Sequence, residues 1–169
     1  MRTPLAPEEF DDLYARSFHR LVGQIYAMTG NMAEAQDVVQ EAFVRAWDKR
    51  SQLTLTQSPE AWVRTVAGRL AVSRWRRARS GVRAVFRHGT PDEVPSPGPD
   101  HTVLVAALRK IPEQQRRAIV LHYLCDLPVA EVAEETGVPE GTVKARLARG
   151  RAALARYLSD DILEEAANA

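Results

Sequence analysis

Apolar residues recur at helical spacing along most of the chain, and no segment keeps the period of two that is typical of a β-strand. The first three predicted helices cover about residues 8–29, 31–50 and 58–79. Gly30 is expected to end the first helix, and Asn31 with Glu34 resembles a capping box that begins the second. Ser58 followed by Pro59 is typical of the start of the third.

One face of each helix carries its expected core positions. In the first helix these are Phe10, Leu13, Tyr14, Phe18, Leu21, Val22, Ile25 and Tyr26. In the second they are Ala35, Val38, Val39, Ala42, Phe43, Ala46 and Trp47, and in the third Val63, Val66, Ala67, Leu70 and Ala71. The pattern predicts a small all-α domain over residues 8–79.

The helical pattern ends between Ser80 and Asp100, where the sequence has four prolines and three glycines. A connection of this length is uncommon inside one compact domain. We therefore interpret residues 80–99 as a flexible Pro-rich linker. A second helical domain is expected over 100–158, with helices beginning near Asp100, at Pro112 and at Val129, and a last one over 140–158. Residues 159–169 are expected to form an acidic tail.

The composition, with 45% hydrophobic and 27% charged residues, excludes disordered and fibrous classes. The sequence has no membrane-length apolar run, no apolar secretion signal and a single cysteine, Cys125. We find no metal-ligand spacing, glycine-rich phosphate loop or nucleophilic triad. These features predict a cytoplasmic protein that is not an enzyme and has no metal, cofactor or membrane contact.

The net charge of +1 conceals strongly charged blocks. Residues 61–91 contain eight arginines and no acid, and residues 140–158 contain five basic groups and one acid. The segments around these blocks are acidic. Two separate basic surfaces favour two contacts with a polyanion, although solvated helix faces would give the same composition.

Residues 129–147 resemble a helix-turn-helix. Ala133 is small enough for a close helix crossing, and Gly137 suits a turn that needs positive φ. Val143, Leu147 and Leu154 would anchor the second helix. Its polar positions suit phosphates and guanine edges, and the candidate DNA-binding residues are Thr142, Lys144, Arg146, Arg149 and Arg151. An ordinary helical hairpin is the alternative.

Two further stripes have opposite charge. The third helix carries cations beside the aromatic surface of Trp62 and Trp75, a combination that holds unstacked bases, although core packing is the alternative for each tryptophan. Its candidate DNA-binding residues are Trp62, Arg69, Ser73, Arg76 and Arg77. The second helix carries Asp37, Gln40, Glu41 and Val44 at helical spacing, followed by Asp48. This acidic stripe could dock a basic partner, and it could equally be a solvated face.

Taken together, these segments resemble a bacterial RNA polymerase sigma factor of the extracytoplasmic-function type, group IV of the sigma-70 family. Residues 37–47 are similar to the polymerase-binding helix of region 2, and 62–79 to the helix that opens and reads the −10 element. Residues 111–121 and 137–147 resemble region 4, which binds the −35 element. At Arg69 this chain departs from the asparagine that many members have, and arginine reads base edges differently.

The resemblance implies that Asp37, Gln40, Glu41 and Val44 dock on the clamp helices of the polymerase β′ subunit. It also implies contact with the β subunit, with duplex DNA at −35 and with single-stranded DNA at −10. An anti-sigma protein is a further candidate partner. Two other classes stay open: a helix-turn-helix regulator that binds duplex unaided, and a helical adaptor that binds protein or RNA.

Overall fold

The computed structural model describes residues 4–53, 58–79 and 99–168. In these ranges the chain forms seven α-helices and no β-strand, so the all-α prediction is confirmed. The chain divides into two compact units between residues 95 and 96. All of the predicted linker except Pro99 lies outside the described residues, and the predicted domain bounds stay predictions.

The first unit is a three-helix bundle of α1 (Pro7–Thr29), α2 (Met32–Asp48) and α3 (Pro59–Arg79). Gly30 ends α1 in the left-handed conformation, at φ 67°, as expected. The Asn31 side chain accepts a hydrogen bond from the Glu34 amide at 3.0 Å and so caps α2. The core is closely packed, with Leu21, Val38 and Val63 wholly inaccessible to solvent.

Five expected core positions of this unit were wrong, among them Tyr14, which is 39% exposed, and Tyr26, which is half-buried. Trp47 is 37% exposed, because it lies at the edge of the bundle. One side of its ring contacts Phe10, and the Arg50 guanidinium lies 4.0 Å from the centroid of the ring. Val66 and Leu70 are only half-buried. The third helix packs through Val63, Ala67 and Ala71, one turn apart, and through Val72, which was not anticipated.

The second unit contains α4 (Pro99–Lys110), α5 (Glu113–Ile119), a π-helical turn (Val120–Leu124), α6 (Val129–Thr136) and α7 (Glu140–Asn168). The fourth helix begins one residue before the predicted start. The last helix continues ten residues beyond the predicted end at Leu158, so the expected acidic tail is helical as far as Asn168. That segment contains neither glycine nor proline, and half of its ten residues are Ala, Glu or Leu, which favour helix.

No helix in the described part of the chain is long and apolar enough to cross a membrane. Over the same ranges, no group of three His, Cys, Asp or Glu side chains is placed to hold a metal ion.

Candidate functional site

The predicted −10 residues lie on one outward strip of α3. Successive residues are seven, four, and then three or four positions apart, and each of these steps leads back to the same side of an α-helix. Trp62, Arg69 and Ser73 are half-buried, and Arg76 and Arg77 are exposed. Trp75 lies elsewhere, since thirteen residues place it on nearly the opposite side from Trp62. The strip therefore combines one tryptophan with three arginines.

The acidic stripe of α2 is less uniform than its sequence predicts. Gln40 is exposed, Asp37 is half-buried, and Val44 is 61% exposed on a helix whose opposite face is inaccessible. The structure thus presents an apolar side chain among polar ones on this face, as a docking surface requires.

Glu41 is engaged within the protein. One carboxylate oxygen accepts from the Arg45 guanidinium at 2.6 Å, and the other accepts from Arg74 of α3 at 3.0 Å. Burial raises the pKa of Glu41, but the hydrogen bonds from Arg74 and Arg45 outweigh this effect and hold the pKa below its usual value. Sequence spacing could not reveal this link, because Glu41 and Arg74 are 33 residues apart.

A second carboxylate links the beginning of α3 to α1. Glu60 accepts hydrogen bonds from Arg20 at 2.5 Å, from the Ser17 hydroxyl at 3.1 Å and from Arg64 at 3.2 Å. Burial again raises the pKa of Glu60, but the hydrogen bonds from Arg20, Ser17 and Arg64 outweigh this effect. The pKa of Glu60 therefore lies below its usual value. The helix with the −10 strip is therefore linked by ion pairs to both neighbouring helices.

The helix-turn-helix has the expected geometry. Gly137 ends α6 at φ 69°, with its amide bonded to the Ala133 carbonyl at 2.9 Å. Val143 and Leu147, on the inner face of α7, are almost fully buried. The turn that the sequence predicts at Gly137 is confirmed.

The candidate −35 residues divide between two flanks of α7. At 100° per residue, Lys144 and Arg151 lie on one flank, whereas Thr142, Arg146 and Arg149 lie on the other. Lys144, Arg149 and Arg151 are exposed, and Thr142 and Arg146 are half-buried. The outermost line of the helix between the flanks carries small residues, among them Gly141 and Ala148. Such a helix can approach a groove closely with cations on either side.

Two residues of this unit were not singled out from the sequence. Gly150 lies where α7 crosses α5, and a Cβ there would lie 2.9 Å from Ile119 Cγ1. Tyr123, in the π-helical turn, accepts a hydrogen bond from Arg151 Nη1 at 2.5 Å through its hydroxyl. The sequence offered only a glycine inside a predicted helix and a tyrosine next to a histidine as signals.

Comparison with known proteins identifies both halves of the chain. Residues 9–81 match Sigma-70 region 2, and residues 101–154 match Sigma-70 region 4. The chain is 30% identical over 166 residues to the ECF RNA polymerase sigma factor SigW of Bacillus subtilis, covering 88% of this chain and 87% of SigW. It belongs to the ECF sigma factor family.

A second relative agrees with this sigma factor assignment, and a solved structure shares the fold. SigL of Mycobacterium tuberculosis is 35% identical over 128 residues, covering 71% of this sigma factor and 72% of SigL. The solved complex of RpoE with the anti-sigma factor NepR from Bartonella quintana shares the fold, with a TM-score of 0.55 at 24% identity over 90% of this chain and 98% of RpoE. As a sigma factor, the protein serves promoter-directed transcription by RNA polymerase and is an initiation factor by family.

Proposed function

We propose that this sigma factor docks on the β′ clamp helices of core RNA polymerase through α2, holds the non-template −10 strand with α3 and reads the −35 duplex with α7. The observation that carries the proposal is the charge of two adjacent helices in one bundle. The outward face of α2 is acidic around an exposed valine, and the outward face of α3 is basic around a tryptophan.

In the polymerase contact, Val44 is the apolar centre, and Asp37 and Gln40 supply polar contacts around it. Glu41 has a different part. Since both of its carboxylate oxygens are occupied by Arg45 and Arg74, it fixes α3 against α2 and adds negative charge at the edge of the docking surface.

In the −10 contact, Arg76 and Arg77 bind phosphates of the separated strand, and Trp62 offers a ring for stacking. Arg69 and Ser73 lie between them on the strip and contact the bases. Strand opening costs a few kcal/mol per unstacked base, which binding within the holoenzyme offsets.

In the −35 contact, the first turns of α7 enter the major groove, as recognition helices do. Lys144 and Arg149 contact base edges on the two sides of the helix, and Thr142, Arg146 and Arg151 contact the backbone. The β subunit and an anti-sigma protein are further proposed partners. The solved RpoE complex, which contains an anti-sigma factor, supports the second of these.

The polymerase contact is tested by Asp37→Lys combined with Val44→Asp. Both side chains are accessible, so the fold should persist while affinity for core polymerase falls at least tenfold, because the docking surface loses its apolar centre and its Asp37 carboxylate is replaced by a cation. The matched control is Asp11→Lys, which makes the same charge change as Asp37→Lys alone on an exposed residue of α1. Binding is measured by titrating labelled sigma factor with core enzyme, and transcription is measured on a genomic promoter pool.

Unchanged polymerase affinity in the double variant, with circular dichroism showing an intact fold, would contradict the assignment of α2. Tight sequence-specific binding of duplex DNA by the sigma factor alone would instead favour a regulator that acts without polymerase.

A further inference from the structure

Tyr123 presents its hydroxyl at the surface of the second unit, paired with a cation of α7. The side chain is 45% exposed, and its oxygen accepts a hydrogen bond from Arg151 Nη1 at 2.5 Å. The two residues are 28 positions apart, so the tertiary fold creates the pair. Exposed tyrosines have no need of such a partner, because water satisfies the hydroxyl.

The π-helical turn Val120–Leu124 determines where Tyr123 points. It closes with the Cys125 amide bonded to the Val120 carbonyl at 2.9 Å. His122 is fixed through Nδ1, which lies 2.8 Å from the Leu127 carbonyl oxygen, and its ring meets that of Tyr123 edge-on at 4.8 Å. Leu121 and Cys125 remain fully buried on either side. The extra residue in the turn therefore places Tyr123 outward while its neighbours stay in the core.

The donor chemistry of the pair suits an anion. The guanidinium has five N–H donors, and the bond to Tyr123 uses one of them. The tyrosine oxygen accepts that bond, so its own hydrogen can be donated outward. Arg151 also shares a flank of α7 with Lys144, two turns and about 10.5 Å away along the axis. A row of donors on one flank of a recognition helix matches the phosphates of one DNA strand.

We propose that Tyr123 and Arg151 together bind one phosphodiester of the −35 duplex, with Tyr123 donating from its hydroxyl and Arg151 from its remaining N–H groups. This rests on the proposed −35 role of α7. Tyr123 precedes α6 in the chain and lies to the side of the outermost line of α7. We therefore expect its hydroxyl to contact the DNA backbone, independently of base sequence.

The experiment measures binding of the holoenzyme to a promoter selected from a genomic pool. Tyr123→Phe removes only the hydroxyl and should weaken binding about 3- to 10-fold, as expected for one lost hydrogen bond. Because no charge is lost, the slope of log affinity against log salt should stay the same, whereas Arg151→Ala should reduce it by about one. Tyr157→Phe, which removes the same atom from a half-buried tyrosine of α7, is the control and should bind like the unsubstituted protein.

A scan of the DNA identifies the phosphate. Single methylphosphonates are placed along the −35 element, each neutralising one phosphate. At one position the substitution should weaken the unsubstituted holoenzyme more than it weakens Tyr123→Phe, because only the contact with Arg151 is left to lose in the variant. Melting temperatures of the free variants identify any effect that comes from loss of the fold.

Two results would overturn the proposed phosphate contact. The first is that Tyr123→Phe and the unsubstituted protein bind a promoter with equal affinity. The second is that Tyr123→Phe loses affinity only for promoters with one particular base pair, which would indicate a base contact. If the unsubstituted holoenzyme bound no promoter at all, the proposed function itself would fail, and this outcome is distinct from the other two.

Discussion

At the scale of single residues, two carboxylates link α3, the proposed −10 helix, to its neighbours. Glu60 near the beginning of α3 binds Arg20 of α1, and Glu41 of α2 binds Arg74 near the end of α3. Neither pair is deeply buried, so each contributes at most about 1 kcal/mol to stability. Their effect is geometric, because they fix the rotation of a helix whose buried face is mainly alanine and valine.

These carboxylates predict a dependence of stability on pH. Both have folded-state pKa values below the ordinary glutamate value of 4.5, so their contribution is present above that pH and is lost as the pH falls through the folded values. Glu60→Gln should lower the free energy of unfolding at pH 7 by up to about 1 kcal/mol and flatten its decline between about pH 5 and 3. Urea unfolding over that range measures both effects.

Glu134→Gln, at an exposed position of α6, is the control for loss of one negative charge. A Glu60→Gln curve parallel to that of the unsubstituted protein throughout the acid range would show that the ion pairs contribute nothing.

Gly150 gives a second prediction at this scale. An alanine there would place Cβ 2.9 Å from Ile119 Cγ1 and 3.2 Å from its Cδ1. Gly150→Ala should therefore destabilise the second unit by about 1–3 kcal/mol, the usual cost of overpacking. Gly141→Ala, in the same helix with nothing within 4 Å, should leave stability equal or slightly higher. Chemical denaturation of both variants provides the comparison, and equal stabilities would show that the helix crossing tolerates a methyl group.

At the scale of elements, α7 carries the sharpest prediction. Lys144 and Arg149 lie on different flanks, so their alanine variants should relax base preference at different positions of the −35 element, each at a cost of about 1–3 kcal/mol. Arg156→Ala, further along α7, should leave base preference unchanged. Promoter-library selection with each variant gives the preferred sequences. If Lys144→Ala and Arg149→Ala select the same sequences as the unsubstituted protein, α7 does not read bases.

Local patterns predicted the elements well, and tertiary contacts explain where they did not. Capping at Asn31 and the turn at Gly137 depend on residues a few positions apart, and both are confirmed. The partner of Glu41 and the close approach at Gly150 involve residues about 30 positions away. Periodicity identifies an outward face but not its neighbours. For the same reason it placed Glu41 correctly on the acidic stripe without showing that the side chain was already bound.

At the scale of the whole molecule, the near-neutral charge separates into surfaces of opposite sign. The arginine block at 61–91 has no acid, while residues 1–60 have nine acids and six basic groups. A protein with this distribution has little net attraction for DNA at long range, and its DNA-binding surfaces act only at close approach.

This distribution predicts that the free sigma factor binds promoter duplex weakly and that core polymerase changes the outcome. Filter binding at about 150 mM salt should show dissociation constants above roughly 1 μM for the protein alone, within the range for non-specific binding. Addition of core enzyme should give permanganate-reactive thymines at −10. Arg76→Ala with Arg77→Ala should reduce that reactivity, whereas Arg16→Ala, on an exposed position of α1, should not.

The continuation of α7 to Asn168 gives this helix opposite charges at its two ends. Its first part, residues 140–158, has five basic groups and one acidic group. Residues 159–169, which follow, have four acidic groups and no basic group. The centres of the two charged segments are about 13 residues, or roughly 20 Å, apart along the helix, which is two to three Debye lengths at physiological salt. The electric field of a DNA duplex therefore exerts a torque on α7, which turns its basic end toward the DNA before contact. The acidic last turns of α7 would thus help to orient the basic surface at residues 140–158, although they are not part of that surface.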